Sequence, residues 1–238
     1  MNVRKQVFFW LSIAFFALFV LWTILVKTVD VQTISYNGTK LGFYSLNYKF
    51  GDLVTEFGKY EFMRTVSSIL LYVSFGYVGI LVAVAIIQLI KYKSLKKINP
   101  IFYFLAGAYV LVVILYGFFE LVHINYSPES TFENLKVSYP SSHVFIGGSF
   151  FLLNSYVLLK FLWVKDGLFK TLIHLSTVIL TCLLVLSRLL AVKHWLTDII
   201  ASVILTLAVY FLFIGLCRWL IPTEVKDEYI ELKTEDEE

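Results

Sequence analysis

The segment from Ser187 to Asp198 holds a serine, an arginine, a lysine, a histidine and an aspartate between two apolar runs. His194 and Asp198 are four residues apart at the expected start of a helix, a spacing that puts both on one face. A carboxylate so placed can hold one imidazole nitrogen and leave the other free to attack. Arg188 offers a planar fork of donors that suits phosphate oxygens. Further up the chain, Pro140, Ser141, Ser142 and His143 open another apolar run. Proline followed by two serines predicts a helix start whose free backbone N–H groups can receive an anion. His143, one residue on, can act as a general acid toward a leaving oxygen. The two segments thus carry a nucleophile, an orienting acid, anion-binding groups and a proton donor.

The elements that must position these groups follow from composition. Hydrophobic residues make up 59% of the 238-residue chain and charged residues only 16%, with a mean hydropathy of +0.79. A water-soluble chain this apolar would expose far more apolar surface than water tolerates. The apolar residues also form long blocks, and a helix needs ~20 of them to cross a bilayer. The expected fold class is all-α, a polytopic membrane protein with about six transmembrane helices in a single bundle. The spans predicted are Gln6 to Leu25, Val66 to Ile90, Pro100 to Val122, His143 to Trp163, Leu172 to Leu186 and Trp195 to Leu220. The first is longer than a signal-peptide core and no small-residue cleavage site follows it, so it reads as a retained anchor. Residues 1–222 are expected to form the membrane domain, and 223–238 an acidic, disordered cytoplasmic tail.

Lysine and arginine set the orientation. Arg4 and Lys5, the run Lys91 to Lys97, and Lys160, Lys165 and Lys170 all fall on one side of six alternating spans. That side is expected to be cytoplasmic, with both termini inside and the protein in the plasma membrane. The opposite side receives the stretch from Thr28 to Thr65, with Asn37-Gly38 as a turn signal, the stretch from His123 to Ser142, and the turn before Trp195. Three polar clusters therefore meet at the outer face, the expected form of a site there. Cys182 and Cys217 both lie inside apolar runs and read as small buried hydrophobes rather than a disulfide. His123 and His174 read as structural. A zinc site of His123, His143 and His194 lacks metal-ligand spacing. No tract reads as a nucleic-acid arm.

Ser187-Arg188, five residues, His194, three residues, Asp198 matches S-R-x5-H-x3-D, the third signature of the type-2 phosphatidic acid phosphatase superfamily. Pro140-Ser141-Ser142-His143 resembles its second signature, P-S-G-H, with serine in place of glycine. The resemblance covers roughly Glu120 to the end of the sixth span. It implies that His194 is the nucleophile that forms a phosphohistidine, that Asp198 orients it and that His143 protonates the leaving group. Arg188 and the Ser141 and Ser142 amides would bind the phosphoryl oxygens. The implied substrate is a lipid phosphate or polyprenyl diphosphate, with membrane lipids around it, no cofactor, no metal and no obligate protein partner.

The first signature departs from the pattern. The family has K-x6-R-P at the end of the third span, and the matching frame here is Glu120, six residues, Ser127-Pro128. Both cations are gone. Hydrogen bonds to charged groups are worth roughly 1.5–3 kcal/mol each, so each loss is expected to weaken phosphate binding or rate by about tenfold to a hundredfold. Lys136, Lys193 and Arg64 are the nearby cations available to take their place. Glu120 is expected to pair with Arg188. The alternatives are a lipid phosphotransferase, in which a hydroxyl replaces water, and a non-catalytic lipid-phosphate binder or transporter.

Overall fold

The computed structural model describes residues 3–34, 38–131, 133–161 and 167–221. Asn37 of the expected turn, Lys165 and the acidic tail lie outside the described residues, as do the side chains of Arg4 and Lys5. Seven α-helices carry the fold: α1 (Val3–Thr28), α2 (Tyr44–Glu56), α3 (Tyr60–Tyr92), α4 (Pro100–Leu121), α5 (Ser142–Phe161), α6 (Leu168–Leu190) and α7 (Leu196–Leu220). Six of them, all but α2, are long and apolar enough to cross a membrane. The all-α, six-span expectation is therefore met, and the remaining regular structure is slight. A two-stranded antiparallel hairpin, β1 (Gln32–Thr33) and β2 (Lys40–Leu41), follows α1, and one 3-10 turn precedes α4.

The helices divide into an inner pair and an outer ring. Most of α5 and α7 is buried, whereas α1, α3, α4 and α6 keep the larger part of their spans exposed. Lipid is as apolar as leucine, so packing between spans depends on small residues and interhelical hydrogen bonds. The inner helices supply both. The Ser12 hydroxyl of α1 donates to the Ala208 carbonyl of α7 at 3.0 Å. Ser202 of α7 donates to the Ser141 carbonyl at 3.1 Å. A Cβ on Gly147 would stand 2.7 Å from the end of the Leu184 side chain of α6, so the leucine packs directly on the glycine.

Two apolar clusters fill the bundle from end to end. One joins Phe19, Val112, Phe119, Tyr139, Phe145 and Leu205 below the expected site. The other joins Leu81, Ile101, Leu153, Val157 and Phe213 toward the opposite end. At that far end Arg218 stacks 4.2 Å over the Phe8 ring, so the start of α1 and the end of α7 share it. The connections 29–59, 122–141 and 191–195 all gather at the near end.

Two features of that end differ from the sequence-based expectation. The stretch from Thr28 to Thr65, expected as a plain connection, holds the hairpin and α2. The buried Asn47 ties α2 to the start of α7, its Nδ2 donating to the Gly42 carbonyl at 2.9 Å and to Thr197 Oγ1 at 3.1 Å. Leu46, Leu53 and Phe57 stay exposed on α2, as suits a helix lying in the headgroup region. Second, α3 begins at Tyr60 and runs for 33 residues, roughly 50 Å at 1.5 Å per residue. That exceeds the ~30 Å of a hydrocarbon core, and the excess carries Arg64 to the site.

The hairpin approaches α1 so closely that a Cβ on Gly42 would sit 1.7 Å from the Val26 carbonyl oxygen, a backbone atom that cannot swing aside. Gly51, inside α2, has open space around its Cβ position. Gly42→Ala is expected to destabilise the protein by about 1–3 kcal/mol or more, seen as a lower melting temperature in detergent. Gly51→Ala is expected to leave that temperature unchanged or raise it, because alanine is the better helix former by about 1 kcal/mol.

Candidate active site

The turn between α6 and α7 is built to present His194. Arg188 and Ser187 close α6 on its buried side. The chain then reverses through Val192, whose φ of 54° is left-handed, a conformation that costs a β-branched residue of order 1–3 kcal/mol. Trp195 is extended, with φ −71° and ψ 154°, and α7 starts only at Leu196. His194 is therefore outside the helix, and the four-residue relation to Asp198 does not place the two side chains on one face.

The imidazole is held by other groups. His194 Nδ1 lies 2.8 Å from the Ser138 carbonyl oxygen, and Nε2 lies 2.7 Å from an amino nitrogen of Arg188. A carbonyl only accepts and a guanidinium only donates. These two partners fix the tautomer: Nδ1 carries the proton and gives it to Ser138, while Nε2 keeps its lone pair and faces Arg188. Burial, and then the adjacent Arg188 cation, hold the His194 pKa well below its ordinary value of 6.5. The Ser138 carbonyl pulls the other way, and His143 and Lys193 add smaller downward pushes. The imidazole is neutral at neutral pH.

The expected Asp198–His194 bond is thus corrected. The fully buried Asp198 carboxylate accepts from Asn125 Nδ2 at 2.8 Å and from the Trp195 backbone N–H at 3.1 Å. Its own carbonyl oxygen takes the Ser141 N–H at 3.3 Å and the Ser202 hydroxyl at 2.8 Å. Asp198 fixes the residue after His194 and joins three chain segments, so it acts on the imidazole through the backbone.

The start of α5 lies against this turn. The Ser141 N–H, expected to face an anion, is already given to Asp198. The Ser142 and His143 N–H groups belong to the first helical turn, where no intrahelical acceptor exists. Ser142 and His194 line one small cleft, open to solvent, with Tyr116, Phe119, Glu120 and Tyr139. Its walls are mixed, with Phe119 and Phe145 beside Glu120, Ser138, Ser142 and His194. His143 Nδ1 and Arg188 Nε are buried without a partner.

The first-signature positions are placed as follows. Glu120 is exposed on the cleft wall beside Tyr116. It makes no ion pair among the described residues, and the carboxylate that bears on Arg188 is Glu129. The expected Glu120–Arg188 pairing is therefore corrected: Arg188 bonds His194, and Glu120 stands beside Tyr116. Ser127 is buried, and its hydroxyl donates to the Lys193 carbonyl at 2.8 Å. The Lys136 side chain is exposed, while its backbone is tied to Ser127 and Ser130. His123 and His174 are exposed, away from this cluster. Of the two cysteines, Cys217 is buried but Cys182 is exposed, contrary to expectation, and both are free. Among the described residues no group of three or more His, Cys, Asp or Glu side chains is placed to hold a metal ion.

Sequence reasoning missed Ser138 and Glu129, and it set Asn125 only among the polar residues that close the third span. Asn125 and Glu129 carried a signal as polar residues beside the apolar third span. The Ser138 contact is a backbone carbonyl and carries no side-chain signal.

Comparison with known proteins agrees with this architecture. A search of curated protein sequences finds no match to the chain. Among solved structures, it is similar to the first transmembrane PAP2 type phosphatidylglycerolphosphate phosphatase from Bacillus subtilis. The TM-score is 0.63 at 15% identity, covering 90% of this chain and 99% of that one. The family model of the PAP2 superfamily matches residues 72–221, which include every group in the His194 turn and the α5 start. With both signatures gathered at one end of six spans, the chain belongs to the PAP2 superfamily.

Proposed function

We propose that the chain is a membrane phosphatase that hydrolyses a lipid phosphate or diphosphate through a phosphohistidine at His194, on the outer face of the plasma membrane. The observation that carries this reading is the His194 tautomer, with its free lone pair on the nitrogen next to Arg188. In the first step Nε2 forms a bond to phosphorus as the bond from phosphorus to the lipid-side oxygen breaks. Arg188 moves its donors from Nε2 to the phosphoryl oxygens, and the N–H groups at the start of α5 take a share of the charge. His143, protonated beside the bound phosphate, gives its proton to the leaving oxygen. In the second step His143 takes a proton from water, the water oxygen bonds to phosphorus, and the N–P bond breaks to release phosphate.

The absent first-signature cations favour one rival, a non-catalytic lipid-phosphate binder. Phosphate release by the purified protein from a panel of lipid phosphates and polyprenyl diphosphates separates the two. Release is expected, His194→Ala should reduce it to background, and Asp198→Asn should lower it by about tenfold to a hundredfold by weakening charged hydrogen bonds. Full turnover by His194→Ala would rule the mechanism out.

The pH profile is a further check. A nucleophile must be unprotonated, and the pKa of His194 lies below 6.5. The acid limb of kcat/KM, which reports the free enzyme, is expected below that pH. Arg188→Gln removes the adjacent cation and should move the limb upward.

Orientation rests on the lysine count. With Cys182 and Cys217 replaced, a cysteine at Asn134 should react with an impermeant thiol reagent in intact cells, and one at Lys96 should not. The reverse pattern would turn the site inward.

A further inference from the structure

The first signature has lost two cations, yet the near end of the bundle is not short of positive charge. Arg64 arrives from the extended start of α3. Its Nε donates to the Ala191 carbonyl at 2.9 Å, one amino nitrogen meets Glu61 at 2.7 Å, and the other is paired with Glu129. Lys193, next to His194 in sequence, places Nζ 3.8 Å from the other Glu129 oxygen. Both Arg64 and Glu129 bear electrostatically on Arg188, and Lys193 bears on His194.

Ser127 shows how this arrangement is held. It occupies the position where the family signature has arginine. Its hydroxyl donates to the Lys193 carbonyl at 2.8 Å and accepts from the Glu129 N–H at 3.2 Å. The residue that lost its charge now sets the positions of Lys193 and Glu129. We propose that Arg64 and Lys193 are the phosphate-binding cations that replace the first-signature pair, and that Glu129 is an internal counter-ion displaced by the incoming phosphate.

The chemistry of the exchange is simple. A guanidinium forks onto two carboxylate oxygens or two phosphate oxygens in the same way. A carboxylate carries one negative charge, whereas a phosphate monoester or diphosphate carries nearly two or more, so it competes favourably for three clustered cations. The Arg64, Glu129 and Lys193 side chains are 22%, 27% and 38% exposed. Solvent-borne anions can reach them, and the displaced Glu129 can turn to water. The Lys136 side chain is exposed, and the bonds it makes to Ser127 and Ser130 are through its backbone.

The inference rests on the proposed reaction for its purpose, but phosphate binding tests it without turnover. Detergent-solubilised protein would be titrated with inorganic phosphate, read by thermal shift, and the KM for a short-chain lipid phosphate measured in parallel. Arg64→Gln and Lys193→Gln are each expected to weaken phosphate affinity about tenfold, the effect of one charge-assisted hydrogen bond, and Glu129→Gln to tighten it several-fold. Opposite signs are the diagnostic, because a merely structural network would weaken in all three variants. If Arg64→Gln does not fold, Lys193→Gln and Glu129→Gln decide the outcome. Unchanged or weaker phosphate binding by folded Glu129→Gln, or unchanged binding by Lys193→Gln, overturns the proposal. The expected pattern in inorganic phosphate with no turnover of lipid phosphate keeps the anion site and removes the proposed reaction. The same pattern in KM would show that the lipid headgroup uses the site as the free anion does.

Discussion

A carboxylate buried at the end of a membrane bundle is tolerated only if nearly every lone pair is taken. The Asp198 carboxylate takes one hydrogen bond on each oxygen, from two separate segments, and its backbone carbonyl draws in a third. Asn125 comes from the connection after α4, the Trp195 N–H from the turn before α7, and the Ser141 N–H from the start of α5, the last bound through the Asp198 carbonyl. Removing this carboxylate would leave the Asn125 amide and the Trp195 N–H without their acceptor in a place water reaches poorly. The position of His194 follows from this knot. Ser138, which accepts from its imidazole, sits between Asn125 and Ser141 in the same chain, and Trp195 is its neighbour.

The second constraint is charge. Arg64, Arg188 and Lys193 converge on partly buried ground, where repulsion between like charges at an effective dielectric near 20 amounts to about 4 kcal/mol at 4 Å. Glu129 offsets it at rest, and its two oxygens face two of the three cations. Arg188 is left with an uncharged partner, the His194 lone pair. A guanidinium directed at a neutral nitrogen, with its Nε buried and unbonded, is a cation held ready for an anion. The membrane sharpens the effect, because the apolar clusters of Phe119, Tyr139 and Phe145 close the inner side of the cleft.

Departures from the family pattern are readable as substitutions of one support for another. Ser142 stands where the second signature has glycine, and it lines the cleft beside His194. Ser127 has exchanged a phosphate-facing charge for a hydroxyl that braces Lys193. The length of α3 beyond what a bilayer requires makes sense in the same terms, since only a projecting helix brings Arg64 to Ala191 and Glu129.

The six spans, and the fact that the polar segments of Ser187 to Asp198 and Pro140 to His143 lie between them, were legible in the residues alone. Long apolar blocks need a bilayer, and polar groups between them have few places to go. Span ends were less legible, because the polar start of α3 and the whole of α2 draw their stability from contacts such as Asn47 with Thr197 rather than from apolar periodicity. The partners of the site were decided by tertiary structure. Asp198 and His194 have the spacing of a helical pair, but His194 lies one residue before the N-cap, so a backbone carbonyl holds the imidazole. A carbonyl belongs to every residue, and nothing in the letter at position 138 marks it. Likewise, the identities of Glu120, Glu129, Arg64 and Lys193 state which charges exist. Which of them meet depends on where helices that are far apart in sequence end in space, and that is set by packing.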